Sequence, residues 1–335
     1  MKKIFNTLKI VIPSLLLGVF FIWLGTKDLT EIQKDEILKA FKNANYGWIL
    51  VSLLLALASH WSRSVRWQYT LDAVQIKTSF WNRYLTLLIN YFTNLAIPRA
   101  GEITRCALMA KYEKEPFEKI LGTLIVERVV DLLILLSIIC GFFLYQYEVV
   151  YSFLMPKIQA KFGFLQDFSA SSFLISCIVL GIIFVAALYF FVSRSESKIA
   201  LKIKKIFMGL KDGVMTIFTM KNKGAYLAHT LFIWICYMGM FGVCFKSLPE
   251  TANVGITTII AAFIFGALAM VLTQGGLGAY PLFVMQGLAI YQIPQTIGYS
   301  LGWIIWTSQT VMVILVGIIA FIALPLYNKH YVKTV

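Results

Sequence analysis

Apolar runs alternate with short polar segments along the whole chain, at positions 10–24, 46–60, 80–97, 120–145, 172–192, 225–245, 255–272, 282–290 and 296–326. Most approach the roughly 20 residues that an α-helix needs to cross a bilayer; 282–290 is too short to do so alone. The pattern predicts an all-α, polytopic integral membrane bundle occupying 1–335 as one domain. No stretch between the runs is long or polar enough to form a separate soluble domain.

Two polar segments carry a helical period of their own. In 28–45 the residues Leu29, Ile32, Ile37, Ala40, Phe41 and Ala44 share a face, which predicts a short amphipathic helix on the outer surface. In 194–224, Arg194, Lys198, Lys202, Lys204, Lys205, Lys211, Lys221 and Lys223 stand against only Glu196 and Asp212. This excess assigns the segment to the cytoplasm. Ile199, Ile203, Ile206, Phe207, Leu210, Val214, Ile217 and Phe218 give it one apolar face, so it is expected to lie on an anionic leaflet. A basic helix that binds a partner is the alternative.

Lys2, Lys3 and Lys9 precede the first run, and Trp23-Leu24-Gly25-Thr26 offers no small-x-small cleavage site, so that run is read as a retained span. Trp61, Arg63, Arg66 and Trp67 read as a cytoplasmic interface where the second span ends. Lys329, His330 and Lys333 place the C-terminus, like the N-terminus, in the cytoplasm. Between the two cytoplasmic loops at 63–83 and 194–223 lie three apolar runs, and an odd number of crossings cannot return to the same side. One run must therefore enter and leave on one face.

The best candidate is 80–97, which ends in Asn90, Asn94, Pro98 and Gly101. The runs 255–272 and 282–290, joined through Gly275, Gly276 and Gly278, suggest a second hairpin entered from outside. The expectation is about seven spans plus one or two re-entrant hairpins, with an inverted repeat suggested by their opposite entry.

Composition agrees. The chain is 59% hydrophobic and 14% charged, whereas soluble proteins average about 45–50% and about 25%. A net charge of +14 would point to nucleic acid in a soluble protein; here Lys- and Arg-rich cytoplasmic loops account for it, and no nucleic-acid partner is expected. The five cysteines form no C-x-x-C pair and the three histidines are isolated, so neither a metal nor another cofactor is implied. No Ser/His/Asp or Cys/His arrangement suggests a catalytic residue, and the glycines at 275–278 lack the spacing of a nucleotide-binding loop.

Charges within apolar runs are the remaining signal. Glu102 and Arg105 are three apart behind Arg99, at the start of a helix after a break. Free amides and two arginines there favour a phosphate; interface anchoring is the plainer reading. In Glu127-Arg128-Val129-Val130-Asp131 the two carboxylates share a face. Glu127 and Arg128 suit a supporting ion pair, and Asp131 suits a functional group. The two clusters are expected to meet in a polar site.

Arg66-Trp67, Pro98-Arg99-x-Gly101-Glu102-x-x-Arg105, Glu127-Arg128-x-x-Asp131 and Gly275-Gly276-Leu277-Gly278 occur in this order. On them the sequence resembles the lysylphosphatidylglycerol synthase transmembrane-region family, the flippase-like, UPF0104-type membrane proteins. In the best-known members a soluble domain transfers lysine to phosphatidylglycerol and the membrane region moves the product across the bilayer. The chain shows no such soluble domain, so the resemblance implies lipid handling more than lysyl transfer.

The expected function is a lipid translocase of the cytoplasmic membrane, acting on a phospholipid, an aminoacylated phospholipid or a polyprenyl-type lipid. Arg99, Glu102, Arg105 and Asp131 would bind the headgroup. A membrane-embedded lipid-modifying transferase and a non-transporting scaffold are the alternatives. A homo-oligomer, or association with a lipid-synthesis enzyme, stays open.

Overall fold

The computed structural model describes residues 2–97, 99–159, 169–194, 197, 201, 215, 220–273 and 275–331. Among these residues every regular element is helical. In order they are α1 (Lys2–Thr26), α2 (Glu31–Asn43), α3 (Tyr46–Ala73), α4 (Phe80–Ala96), α5 (Ala100–Glu113), α6 (Phe117–Tyr145), α7 (Tyr147–Gln159), α8 (Ala170–Arg194), α9 (Lys223–Cys244), α10 (Ile256–Leu272), α11 (Ala279–Ala289) and α12 (Gln295–His330). The chain forms two compact units, Met1–Leu124 with Met220–Val335 and Ile125–Thr219, and the division falls inside α6.

Among the described residues three helices are long and apolar enough to cross a membrane: α3, α9 continued to Ser247, and α12. The α6–α7 pair qualifies as a fourth despite a 78° bend. The protein is a polytopic helical membrane protein. Shorter apolar stretches are Leu16–Thr26 within α1, Ala170–Ile183 within α8, and the helices α10 and α11, which occupy the two runs expected as a second hairpin. The basic segment at 194–224 lies mostly outside the described residues. The expected amphipathic helix is α2, opened by a capping box in which Thr30 and Gln33 satisfy each other's backbone amides.

In the first unit, α12 is the axis. Its 36 residues extend about 54 Å at 1.5 Å per residue. Along its first half packs α11: Gly298 lies against Met285 and Leu288, and Gly302 against Pro281. Near its middle the Trp306 indole donates to the Gly275 carbonyl at 2.6 Å. Along its second half packs α4: Gly317 meets Phe92, Ala320 and Leu324 cluster with Leu85, Leu88 and Ile89, and Tyr327 reaches Ser79 at 2.6 Å.

Both partners of α12 belong to helical hairpins. α4 turns back as α5, and the two ends are tied where Glu113 accepts hydrogen bonds from the Ser79 amide (2.9 Å) and the Asn82 amide group (2.7 Å). α10 turns back as α11, with Gly287 against Ala262 and Gly266 against Tyr280 and Val284. The hairpins therefore enter from opposite ends of α12, and their tips touch where Gly275 faces Leu95. The return limb of the first hairpin is the polar segment after Ile97. No reading of apolar runs alone would make it a partner of α4.

Local chemistry explains both turns. Ile97 is extended (φ −133°, ψ 120°), as the residue before a proline prefers; Pro98 itself lies outside the described residues. Arg99 follows at φ 57°, a left-handed conformation that costs a non-glycine residue about 1–2 kcal/mol. In the second turn, Gly278 has φ 69°, and a Cβ there would lie 2.4 Å from the Gly18 carbonyl oxygen of α1. Only glycine meets both conditions.

α3 runs antiparallel to α9, with Ser52 donating to the Met240 carbonyl (2.7 Å) and Ser62 bonded to His229 (2.8 Å). One apolar core lies between α3, α9, α11 and the first half of α12, around Phe241, Phe245, Val284, Leu288 and Leu301. Another holds the end of α3 to α5 and the first turns of α6, around Trp67, Leu71, Cys106, Met109 and Ile120. In the second unit α7 packs on α8, where Tyr151 and Phe173 rings lie 5.7 Å apart.

Candidate functional site

Among the described residues four arginines are buried: Arg63 (3% exposed), Arg66 (0%), Arg83 (6%) and Arg105 (0%). All belong to the first unit and come from α3, α4 and α5. Taking such a charge out of water costs several kcal/mol per ion after relaxation, so each needs compensating contacts. Arg105 lies on the Trp67 ring, 3.6 Å from its centroid, close enough for a strong cation–π contact. The Trp67 indole in turn donates to Thr123 at 2.9 Å. Arg66 reaches Thr230 (3.3 Å) and faces the Tyr226 ring, and Arg63 faces Tyr237.

Arg83 crosses from α4 to α3. It donates to the Ser64 carbonyl (3.0 Å), to the Thr78 carbonyl and hydroxyl (2.7 and 2.8 Å), and to Gln68. His60 and Tyr91 stack between the same two helices, with ring centroids 4.5 Å apart.

A polar lane runs down the buried side of α4. Asn82, Thr86, Asn90 and Asn94 recur every fourth residue, so they share one helix face. Asn82 bonds to Glu113 and to Asn328. The Thr86 hydroxyl donates to the Asn82 carbonyl at 2.6 Å. Asn94 accepts from the Gly101 amide at 2.8 Å, capping the first turn of α5. Asn90 is fully buried, and neither atom of its amide has a hydrogen-bond partner among the described residues. Each buried polar atom left this way costs about 1–3 kcal/mol.

The expected headgroup residues separate by depth. Arg99 is exposed at the hairpin tip, Glu102 is half-buried in the first turn of α5, and Arg105 is fully buried one turn further. Gly101 sits where α5 presses on α4: a Cβ there would lie 2.2 Å from the Asn90 carbonyl oxygen. Glu127, Arg128 and Asp131 lie on the part of α6 that belongs to the second unit, Glu127 fully buried and the other two half-buried. Gly275, Gly276 and Gly278 occupy the turn of the second hairpin, all with positive φ.

The family described as the lysylphosphatidylglycerol synthase TM region matches residues 10–328. The chain belongs to this family. It is also similar to the UPF0104 membrane protein of Methanocaldococcus jannaschii, with 22% identity over 97% of this chain and 98% of the relative. No solved structure matches. Every residue of the arginine cluster and of the polar lane falls inside the matched region of this lysylphosphatidylglycerol synthase-type membrane protein.

Arg63 and Arg66 correct the sequence reading. They were expected to mark the interface at the end of a span, but α3 continues to Ala73 and buries both, with Trp67. The reason is periodicity: Ser59, Arg63, Arg66 and Thr70 fall on one face of α3, which packs against neighbouring helices instead of headgroups. Arg83, His60, Asn82, Thr86 and Glu113 were not singled out at all. Their signal was the recurrence of polar residues at helical spacing inside apolar runs, which marks a polar interior seam.

Proposed function

We propose that this protein moves a lipid with a charged headgroup between the leaflets of the cytoplasmic membrane. The substrate is a phospholipid, an aminoacylated phospholipid or a polyprenyl-type lipid. The observation that carries this reading is the cluster of four buried arginines around a broken helical hairpin. A phosphate in hydrocarbon has lost its hydration, and charge-assisted hydrogen bonds from guanidinium groups are the replacement best matched to it. Family membership supports lipid as the substrate class, and the family's name favours an aminoacylated phospholipid among the candidates.

In this mechanism Arg99 meets the headgroup at the exposed tip and Arg105 holds it deeper. Glu102 orients the arginines and pairs with a cationic headgroup substituent. Asp131, supported by Glu127 and Arg128, is the acidic group that the second unit offers to a cationic headgroup. The acyl chains stay in the surrounding lipid while the headgroup passes through polar protein.

The test is reconstitution of the purified protein into liposomes with a fluorescent phospholipid, reading leaflet transfer by chemical quenching. Hydrogen bonds to charged groups contribute about 1.5–3 kcal/mol, so Arg105→Ala should slow transfer about 10- to 150-fold. Asp131→Asn should slow transfer of a lysylated lipid in particular. Wild-type rates in both variants would remove these residues from the mechanism.

A further inference from the structure

We infer that Asn90 is a substrate-contacting residue that selects headgroups carrying a hydroxyl or an ammonium beside the phosphate. This inference rests on the lipid-handling reading above. Three of the four polar residues in the α4 lane are engaged by protein groups, and Asn90 is the one whose amide has none among the described residues. It is fully buried and faces the first turn of α5: its Oδ1 lies 2.7 Å from where a Gly101 Cβ would stand. That turn carries the positive end of the α5 dipole, with the Gly101 amide itself already held by Asn94. Arg105, on the same face of α5 one turn on, supplies positive charge.

The chemistry of the side chain narrows the ligand. An asparagine amide offers two N–H donors and one carbonyl acceptor. Its Nδ2 donates to a phosphate oxygen while its Oδ1 accepts from a hydroxyl or ammonium on the second carbon of the headgroup alcohol, three bonds beyond the phosphoester oxygen. A phosphate alone would use only half of this group. A phosphoglycerol or an aminoacylated phosphoglycerol uses both halves. Packing does not require the asparagine: the limbs of the second hairpin meet through glycines, Ala262, Val284 and the Tyr280 ring carbons, with no side-chain amide between them. The headgroup reaches Asn90 when the first turn of α5 lifts from α4, at the tip where Arg99 already holds a left-handed backbone.

The experiment compares wild type, Asn90→Leu and Asn90→Ser in two arms. In the first, proteoliposomes carry fluorescent phosphatidylglycerol or fluorescent phosphatidic acid, assayed at a pH below about 6 where both phosphates are mostly singly charged, so that they differ chiefly in the glycerol hydroxyls. Wild type should prefer phosphatidylglycerol by about tenfold, the ratio one such hydrogen bond supplies, and Asn90→Leu should bring that ratio close to one. In the second arm, short-chain phosphatidylglycerol and glycerol 3-phosphate are titrated onto the detergent-solubilised proteins. Wild type should bind the lipid, and Asn90→Leu should bind it about tenfold more weakly; binding of glycerol 3-phosphate at equal affinity would make the ligand a free phosphoglycerol. Asn90→Leu should also melt at a higher temperature, because it removes a buried unsatisfied amide.

A variant that melts higher and keeps both the preference and the affinity would show that the amide holds only water, which overturns the inference. Loss of transfer by wild type itself, with binding intact and dependent on Asn90, would instead overturn the translocase reading and leave this site standing. If Asn90→Leu does not fold, Asn90→Ser, whose single hydroxyl cannot reach both headgroup groups, should lower the preference below the wild-type value of about tenfold, and an unchanged preference and affinity would overturn the inference.

Discussion

The two hairpins share an outline and differ in what they bury. Each consists of two short antiparallel helices docked on α12, entering from opposite ends and meeting at Leu95 and Gly275. The α10–α11 hairpin closes on carbon contacts without a buried charge, Gly287 against Ala262 and Gly266 against the Tyr280 ring and Val284. The α4–α5 hairpin closes where Asn82 bonds Glu113 and Asn94 bonds Gly101, while Thr86 bonds within α4 and Arg83 and Arg105 are buried beside them. An apolar seam is therefore sufficient to build this shape. The polar seam of the first hairpin is not a requirement of the fold, and its retention in a membrane interior points to chemistry.

The largest expected effect comes from forcing the seams apart. A methyl group on Gly101 would stand 2.2 Å from a backbone oxygen of α4, against 2.9 Å from the Ala262 Cα for one on Gly287. Overpacking of this kind costs typically 1–3 kcal/mol, so Gly101→Ala should destabilise by roughly 3 kcal/mol and Gly287→Ala by roughly 1–2 kcal/mol. Thermal unfolding in detergent measures both. Equal losses would mean that the two seams are equally tolerant and that the closer approach in the first hairpin has no energetic consequence.

A smaller effect is expected at the base of the first hairpin. Glu113 accepts from the Ser79 amide and from Asn82, so Glu113→Leu leaves two buried donors without their acceptor. With an unsatisfied buried donor costing about 1–3 kcal/mol, and Asn82 keeping its bond to Asn328, the net loss should be about 2 kcal/mol. Lipid transfer should fall further than the lost folded fraction explains, because the base sets the spacing of Arg83 and Arg105. Transfer that merely tracks the folded fraction would reduce Glu113 to a structural clamp.

Part of this architecture was legible in the sequence because an apolar run that ends in polar and helix-breaking residues has to turn. The Asn-rich, Pro-containing end of 80–97 marked such a place, and α4 does turn back there as α5. The glycines at 275, 276 and 278 likewise announced a turn. The start of α5 was read as a helix after the break, but its docking back on α4 was not legible, because Glu113, Lys111 and Arg105 give it the composition of a polar connecting segment. Arg63 and Arg66 were misread for a related reason: an arginine beside tryptophans looks the same whether it snorkels to headgroups or turns inward. The partner helices decide between these, and they are far away in sequence: Thr230 meets Arg66 across 164 positions. The α4 lane was visible as a four-residue period, but a few polar residues among many apolar ones are outweighed when runs are read by mean hydropathy.

The smallest expected effect separates the hairpins by function at their tips. Trp306 donates to the Gly275 carbonyl at 2.6 Å in the second hairpin, and Asn94 accepts from the Gly101 amide at 2.8 Å in the first. Each is one hydrogen bond holding one tip, worth about 1 kcal/mol net. Trp306→Phe and Asn94→Ala should therefore destabilise the protein by similar amounts in thermal unfolding. Their effects on lipid transfer should differ. Trp306→Phe loosens a tip that carries no charge, and transfer per folded molecule should stay near wild type. Asn94→Ala uncaps the turn that positions Glu102 and Arg105, and transfer should drop several-fold at the same folded fraction. If Trp306→Phe slows transfer as much as Asn94→Ala does, the second hairpin is a working part of the path, and the division into a chemical hairpin and a structural one does not hold.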